Sequence, residues 1–452
     1  MRSLALGLTV AMLACGRTET PPGTALEPAR RALTPGGALP IPATAEDLDP
    51  DPGVVRVALR AAPRDDGSWS YDGQVPGPTI RARVGDTITV ELDNALPNPT
   101  TIHWHGMAVP YAMDGVPWKR DPVQAGESFT YSFEATAAGT FWYHPHFDTE
   151  RQVDLGLYGL VVVEEPDAAR ADRELELVLD QPTEAALADV APAHHHGLVH
   201  EAPPWLVNGA LAPTVTLTRG ERVLVRLLNA SNSGYLDLAA PGLRLVGGDQ
   251  GRLSALATPE RVLLAPGDRV ELEWLGAGAG FSLQNHPYSA HGGRLEAEPV
   301  TLLDVAVAGD GEDASPVSWS FDGRPPTPDP GHTDLVYVLT GADEASTWMI
   351  NGERFPDVTI REVALGTSVV IELRNLSVTE HPFHLHGHAF EVLSVDGVPP
   401  AARRVEDTIN VRIRQRVRLL LRADNPGEWM AHCHILPHAD DGMMTVLRVG
   451  EP

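Results

Sequence analysis

Three stretches of this chain repeat one pattern, and a chain built from repeated units folds as a row of similar domains. In the first, Trp69-Ser70-Tyr71-Asp72-Gly73 precedes Val84-Gly85-Asp86 and a run ending in Asn94. In the second, Trp205-Leu206-Val207-Asn208-Gly209 precedes Arg219-Gly220-Glu221 and a run ending in Asn229; in the third, Trp348-Met349-Ile350-Asn351-Gly352 precedes Leu365-Gly366-Thr367 and a run ending in Asn375. The later glycine stands nine residues before the Asn each time. Between them apolar and polar residues alternate, the period of a strand buried on one face. Each unit is therefore expected to be a β-sandwich of about 120 to 150 residues. We place the units at residues 53–166, 167–310 and 330–452. A stiff linker over 311–329 falls inside the Pro-rich stretch Asp310–His332, which holds Pro325, Pro326, Pro328 and Pro330.

Composition agrees with an all-β chain. The 452 residues include 42 Gly and 40 Pro, with few runs of helical period. The formal charge is -27, from 34 basic and 61 acidic residues, and Lys119 is the only lysine. Such a surface repels phosphate backbones, so nucleic acid is excluded as a partner. Cationic metals and neutral organic molecules are the easier partners.

The N-terminus reads as an export signal. Leu4–Leu13 is an apolar run behind Arg2, too short to cross a bilayer and suited to a signal peptide over 1–15. It ends in Ala14-Cys15-Gly16. A small residue before the cysteine resembles a bacterial lipoprotein processing site, which would make Cys15 a lipid anchor; the alternative is an ordinary cleaved leader. Residues 16–52 read as a flexible tether. The expected location is the periplasm or cell envelope, and the expected state a monomer. Cys433 is then a lone thiol in an oxidising compartment, where a metal would protect it.

The histidines follow the repeat. Nine and eleven residues after Asn94 stand His103 and His105, and the same offsets from Asn375 give His384 and His386. From Asn229 they give Leu238 and Ala240. Five and seven residues after Gly139 stand His144 and His146; after Gly427 stand His432 and His434; after Gly280 stand Asn285 and Pro287. Units one and three thus carry equivalent metal-type positions and unit two carries none. A His-x-His pair on a strand puts two imidazoles on one face, about 7 Å apart. Eight imidazoles exceed the needs of one mononuclear site, so an interfacial multinuclear centre is the economical reading.

A second constellation is His381, Cys433, His438 and Met443. Strand alternation turns Cys433 away from the face of His432 and His434. Two imidazoles, a thiolate and a distal thioether form the ligand set of a blue-copper electron-transfer site.

With these motifs in order, the chain resembles the three-domain multicopper oxidases, the family of laccases and bacterial copper-tolerance oxidases. The resemblance rests on His103-Trp104-His105-Gly106, His144-Pro145-His146, His381-Pro382-Phe383-His384-Leu385-His386-Gly387-His388, and His432-Cys433-His434 with His438 and Met443. It implies three tandem cupredoxin-like Greek-key β-sandwich domains and four coppers per chain. By motif position it gives the type 1 copper to His381, Cys433, His438 and a weak axial Met443. It gives the type 2 copper to His103 and His384, and the type 3 pair to His105, His144, His146, His386, His432 and His434. His388 lies past the motif as a non-ligand. The resemblance further implies single electrons entering at type 1 copper, passing through Cys433 to its neighbours, and reducing dioxygen to two waters.

Proton delivery is where the sequence departs from the pattern. Asp114 matches the acidic residue that many bacterial members keep near the trinuclear centre, although Asp114-Gly115 is also a good turn pair. The usual Glu after the last type 1 histidine is Ala439 here, leaving Asp440, Asp441 or water to compensate. Eight methionines without a Met-rich cluster favour a laccase-like enzyme acting on phenols or aromatic amines. The alternatives are a cuprous-ion oxidase, for which the cluster His194–His200 could collect copper, and a non-catalytic copper-binding protein.

Overall fold

The structure, a computed structural model, describes residues 35–118, 120–165, 169–181, 204–293, 295–342 and 347–450. The expected signal peptide, Cys15 and the His194–His200 cluster lie outside the described residues. Among the described residues the strands form six sheets, two to each of three sandwiches. The first sandwich pairs two four-stranded sheets, the second a seven- with a five-stranded sheet, and the third a six- with a five-stranded sheet.

The repeated residues are the ones that build each sandwich. Asp72-Gly73, Asn208-Gly209 and Asn351-Gly352 all have positive φ at both positions, the backbone that the tightest hairpin turns require. The Asp72, Asn208 and Asn351 side chains each accept a backbone N–H from the preceding strand, at 2.8 to 2.9 Å. The Asn that ends each repeat is buried and bonded as a loop clamp. Asn94 Nδ2 donates to the carbonyls of Asn98 and Val123, Asn229 to those of Gly234 and Leu264, and Asn375 to those of Thr379 and Val411. Each thereby fixes the short loop that leads into the next strand of the opposite sheet. In units one and three, that strand is His103–His105 or His381–Leu385.

Apolar alternation fills three separate cores. Val57, Leu59, Ile88, Val90 and Leu92 pack in the first, Val223, Val225, Leu227, Val270, Leu272 and Trp274 in the second, and Ile371, Leu373, Val417, Leu419 and Leu421 in the third. The other face of strand Arg269–Leu275 is polar yet also buried: Arg269, Glu271 and Glu273 are at most 2% exposed. Neighbouring units cover it. Glu271 accepts from Thr140 of the first unit at 3.0 Å, and Arg269 reaches Asp407 of the third. The alternation that signals a half-solvated strand marks here a strand with an apolar core on one side and domain interfaces on the other.

Two connecting segments pack on the domains, and for the expected tether this departs from expectation. The last part of the expected tether is not free: Ala38 bridges Thr214, Thr44 bridges Thr79, and Leu39 is buried in the second core. Backbone bonds from Leu39 to Thr214 and Ala45 to Thr79, each 2.8 Å, hold it along the first two units. The stiff linker expected over 311–329 lies against the second unit. Val317 and Trp319 are buried against Leu224 and Val246, and the Arg252 guanidinium lies 4.3 Å from the Trp319 ring centre. In both segments an apolar residue finds a covered site, and in the expected tether that outweighs the freedom its Pro and Gly content suggests.

Candidate metal centres

Register explains why the histidines recur. In the first unit His103 sits opposite His144 across an antiparallel pair, and in the third His384 sits opposite His432. The second unit has the same pairing, with Leu238 opposite Asn285. The scaffold is thus common to all three, and two of them carry imidazoles on it. The two histidine-bearing sheets face each other across the junction of units one and three. His103 stacks on His386 with ring centres 3.8 Å apart, and His105 on His384 at 3.7 Å. The Nε2 atoms of His386 and His432 approach to 3.0 Å, and those of His146 and His432 to 3.4 Å. All eight imidazoles are buried.

Six of the eight rings are held from behind by a hydrogen bond. His144 donates Nδ1–H to the Pro145 carbonyl at 2.8 Å and His432 to the Cys433 carbonyl at 2.9 Å. His103 donates to the Asp114 carbonyl and His384 to the Asp407 carbonyl, both at 3.0 Å. The two aspartates then cross the junction. Asp114 offers its carboxylate to His386 Nδ1 at 2.9 Å, and Asp407 offers its own to His105 Nε2 at 3.1 Å. The opposite nitrogens point into the cluster. Nε2 of His103, His144 and His384, Nδ1 of His105, and both nitrogens of His434 are buried without any partner. Partnerless buried nitrogens of this kind are costly in a bare protein and suit an ion at their centre. Ligand atoms of His103, His105 and His144, of His103, His384 and His386, and of His146, His386 and His432 lie within 4.8 Å of one another in each set.

Burial disfavours the charged imidazolium over much of the cluster. Burial, reinforced by neighbouring histidines, drives His105, His144, His146, His386 and His434 well below the ordinary imidazole range. Burial lowers His432 to about 3.

The second group forms around Cys433, whose side chain faces away from those of His432 and His434. Its Sγ lies 3.4 Å from His381 Nδ1 and 3.7 Å from His438 Nδ1, and accepts from Ile435 N at 3.4 Å. Met443 is fully buried in the same core cluster as Cys433. Trp348, from the repeat motif, stacks on His438 at 3.9 Å, and Ser377 Oγ lies 2.7 Å from His381 Nε2. Burial pushes the Cys433 thiol far up, which a bound cation would reverse. His388 stands apart, its Nδ1 3.2 Å from the His386 carbonyl.

No motif or spacing pointed to Asp407. It is the third unit's counterpart of Asp114, but strand Phe390–Val395 intervenes, so no constant offset from the histidines finds it. Nor did anything in the second unit announce Arg269 and Gln250, which donate to Asp407, or Asp249, which accepts from Thr408 N. At the position expected to hold Glu, Ala439 packs beside Met430 and Met444. Asp440 instead lines a cavity of about 50 Å³ with His144, His146 and His432, and burial raises its carboxyl to about 7.

Comparison with known proteins places this geometry. The multicopper oxidase family models match residues 57–168 and 327–452. A multicopper oxidase of Staphylococcus haemolyticus is 30% identical over 84% of this chain and 83% of its own. Laccase-5 of Trametes versicolor is 29% identical over 88% and 87%. The structure of a multicopper oxidase from Campylobacter jejuni, described as a metallo-oxidase, superposes with a TM-score of 0.79 at 26% identity, covering 93% of this chain and 96% of that one. Read together with the inward nitrogens and the thiol flanked by two imidazoles, these matches show that the chain belongs to the multicopper oxidase family and is a laccase-like copper oxidoreductase using oxygen.

Proposed function

We propose that His381, Cys433, His438 and a weak axial Met443 hold the type 1 copper. His103 and His384 take the type 2 copper, and His105, His144, His146, His386, His432 and His434 the type 3 pair. The observation that carries this assignment is the set of buried, partnerless ring nitrogens turned toward one another across the junction of units one and three. Copper supplies one-electron redox chemistry at the first site and reduction of dioxygen to two waters at the second.

The chain's own contribution is connection, orientation and protons. Cys433 is bonded along the backbone to His432 and His434, so one covalent path joins the two sites. Asp114 touches rings from both units, His386 through its carboxylate and His103 through its carbonyl. That contact makes it the acid placed to pass protons into the interdomain site.

The donor we propose is a small phenol or aromatic amine. A cleft of about 510 Å³ opens beside Glu380, the chain neighbour of His381, and Tyr288, Leu295 and Pro299 are among its walls. That volume suits a small organic molecule. A second reading, cuprous ion as donor, is favoured by the likeness to the Campylobacter jejuni metallo-oxidase and by the net charge of -27. The N-terminal pattern further supports export to the periplasm or cell envelope, with lipidation at Cys15, and a monomer is the state we propose. No helix among the described residues is long and apolar enough to cross a membrane.

The test is dioxygen uptake by copper-loaded protein, with a phenolic donor and with cuprous ion, and peroxide measured alongside. Uptake without peroxide is expected, faster with the phenol. Faster uptake with cuprous ion reverses the donor assignment, and no uptake from fully loaded protein removes the oxidase reading of this chain.

A further inference from the structure

Unit two carries none of the eight clustered histidines, yet one of its side chains reaches into the wall of the interdomain site. We infer that Arg269 is a positioning residue of that centre: through Asp407 it decides which nitrogen of His105 faces inward and holds His384 in line. The inference rests on the assignment of these histidines as copper ligands.

Arg269 is fully buried, and its five N–H groups all find acceptors. Nε donates to the Thr140 carbonyl of unit one at 3.1 Å. Nη1 donates to the Gly267 carbonyl at 3.0 Å and to Asp407 Oδ1 at 2.8 Å. Nη2 donates to the Asp249 carbonyl at 3.1 Å and to Asp407 Oδ2. A planar fork bonded at all five positions, to three units of the chain, has no rotational freedom left. Gln250 adds a bond to Asp407 Oδ2 at 2.6 Å, and Asp249 accepts from Thr408 N at 3.2 Å. Asp407 is therefore immobilised from the side of unit two.

The consequence falls on His105. A carboxylate only accepts, so His105 Nε2 carries the proton it gives to Asp407, and the lone pair is left on Nδ1. His103, His144 and His384 present Nε2 to the cluster; His105 alone among these presents Nδ1. The crossed partner, Asp114, grips His386 by Nδ1 instead, and among the described residues no arginine bonds it; its Oδ1 makes no hydrogen bond and lies 3.2 Å from His103 Nδ1. The two carboxylates are thus alike in topology and unlike in support. Unit two makes the difference, by clamping one of them. Gly106 belongs to the same arrangement: a Cβ there would meet Arg269 Nη2 and Asp407 Oδ2 at 2.6 Å.

The competing explanation is that Arg269 merely glues units two and three. Arg269→Lys separates the two, because it keeps the buried positive charge and loses the fork. Gln250→Met serves as the second variant, since it removes one bond to Asp407 and leaves the charges paired. Both are loaded with copper and dialysed, then read by copper stoichiometry, by the paramagnetic signal of the non-blue copper, and by blue absorption. Removing outer support of metal ligands typically weakens binding about 10- to 100-fold. A loss of interdomain copper in that range for Arg269→Lys is expected, with an altered non-blue signal and unchanged blue absorption. A smaller shift in the same direction is expected for Gln250→Met, which decides the matter if the lysine variant does not fold. Variants that match wild type in stoichiometry and in the non-blue signal overturn the inference, whatever their thermal stability. Wild-type protein that itself retains a single copper sinks the ligand assignment, and the inference with it.

Discussion

The first and third units and the second differ at matched positions. His103 faces His144, His384 faces His432, and Leu238 faces Asn285 in the same antiparallel register. In the second unit Leu238 goes into the core and Asn285 accepts the Asp237 backbone N–H at 2.8 Å. A metal-binding strand and a structural one are therefore the same object with different side chains. What the second unit lacks in ligands it supplies as interface: the polar face of Arg269–Leu275 touches the first unit, the linker through Glu273 and Val317, and the third.

The matched units also differ where the first has Pro145 and the third has Cys433, both between paired histidines. Cys433→Ser breaks that difference and carries the largest expected effect. Blue absorption and turnover are lost, turnover by more than about 10³-fold, since no thiolate remains to complete the site. Interdomain copper and folding are retained, because His432 and His434 keep their strand. Copper analysis with absorption spectroscopy checks this, and retained blue colour would falsify the role of Cys433.

The repeat asparagines allow one substitution to be made in all three units. Asn94, Asn229 and Asn375 each hold two carbonyls and a following N–H. Replacement by Ala leaves those groups buried and unpaired, a cost on the order of 3 kcal/mol in each case. Asn375→Ala should also weaken copper retention, because its loop leads directly into His381 and His384. Asn229→Ala should destabilise by a similar amount with copper stoichiometry unchanged. Urea unfolding and copper analysis of the pair are the measurements; equal copper loss in both would mean the loop clamp is not local.

Acid provides a gentler separation. His381 and His432 sit at about 3 in the native protein, chiefly through burial, against about 6.5 when unfolded. Between those values the unfolded chain binds more protons, so stability falls as pH drops below about 6.5, and the loss is complete near 3. Each such histidine adds a slope of about 1.4 kcal/mol per pH unit in the metal-free protein. Burial raises Asp180 and Asp440 to about 7 and Asp268 to about 8, and these oppose the loss because they bind protons on folding; the buried imidazoles of units one and three outnumber them. Urea midpoints of metal-free protein at pH 7.5, 6.5 and 5.5 should decline in that order; a flat series would mean the imidazoles are protonated in the native state.

The repeat, the strand period and the histidine offsets were all legible, because each records a local rule: a turn that needs positive φ, a face that must be apolar, a register shared by three units. Cys433 was legible for a different reason, since a lone thiol in an exported chain needs an explanation. What stayed hidden depends on contacts between units. Glu271 and Arg269 alternate with core residues just as solvent-facing ones do, and only the packed molecule shows that side is covered. Asp407 escaped because the strand inserted before it destroys the offset that links Asp114 to His103. Residues 35–48 read as tether because Pro and Gly content says nothing of a groove waiting for Leu39.

Met443 is the smallest expected effect and the finest test of the asymmetry between units. It is fully buried among Tyr337, Phe383 and Leu447, where an ordinary core methionine would also sit. Met443→Leu conserves volume, so a core role alone predicts a cost below about 1.5 kcal/mol and nothing else. A thioether that weakly ligates the thiolate-bound copper does more: its loss leaves the oxidised ion less stabilised, and the reduction potential of the blue site rises. The two roles therefore share one stability outcome and differ in potential. Redox titration of the blue absorption decides between them. A higher potential with thermal stability nearly unchanged is expected, and an unchanged potential returns Met443 to the core.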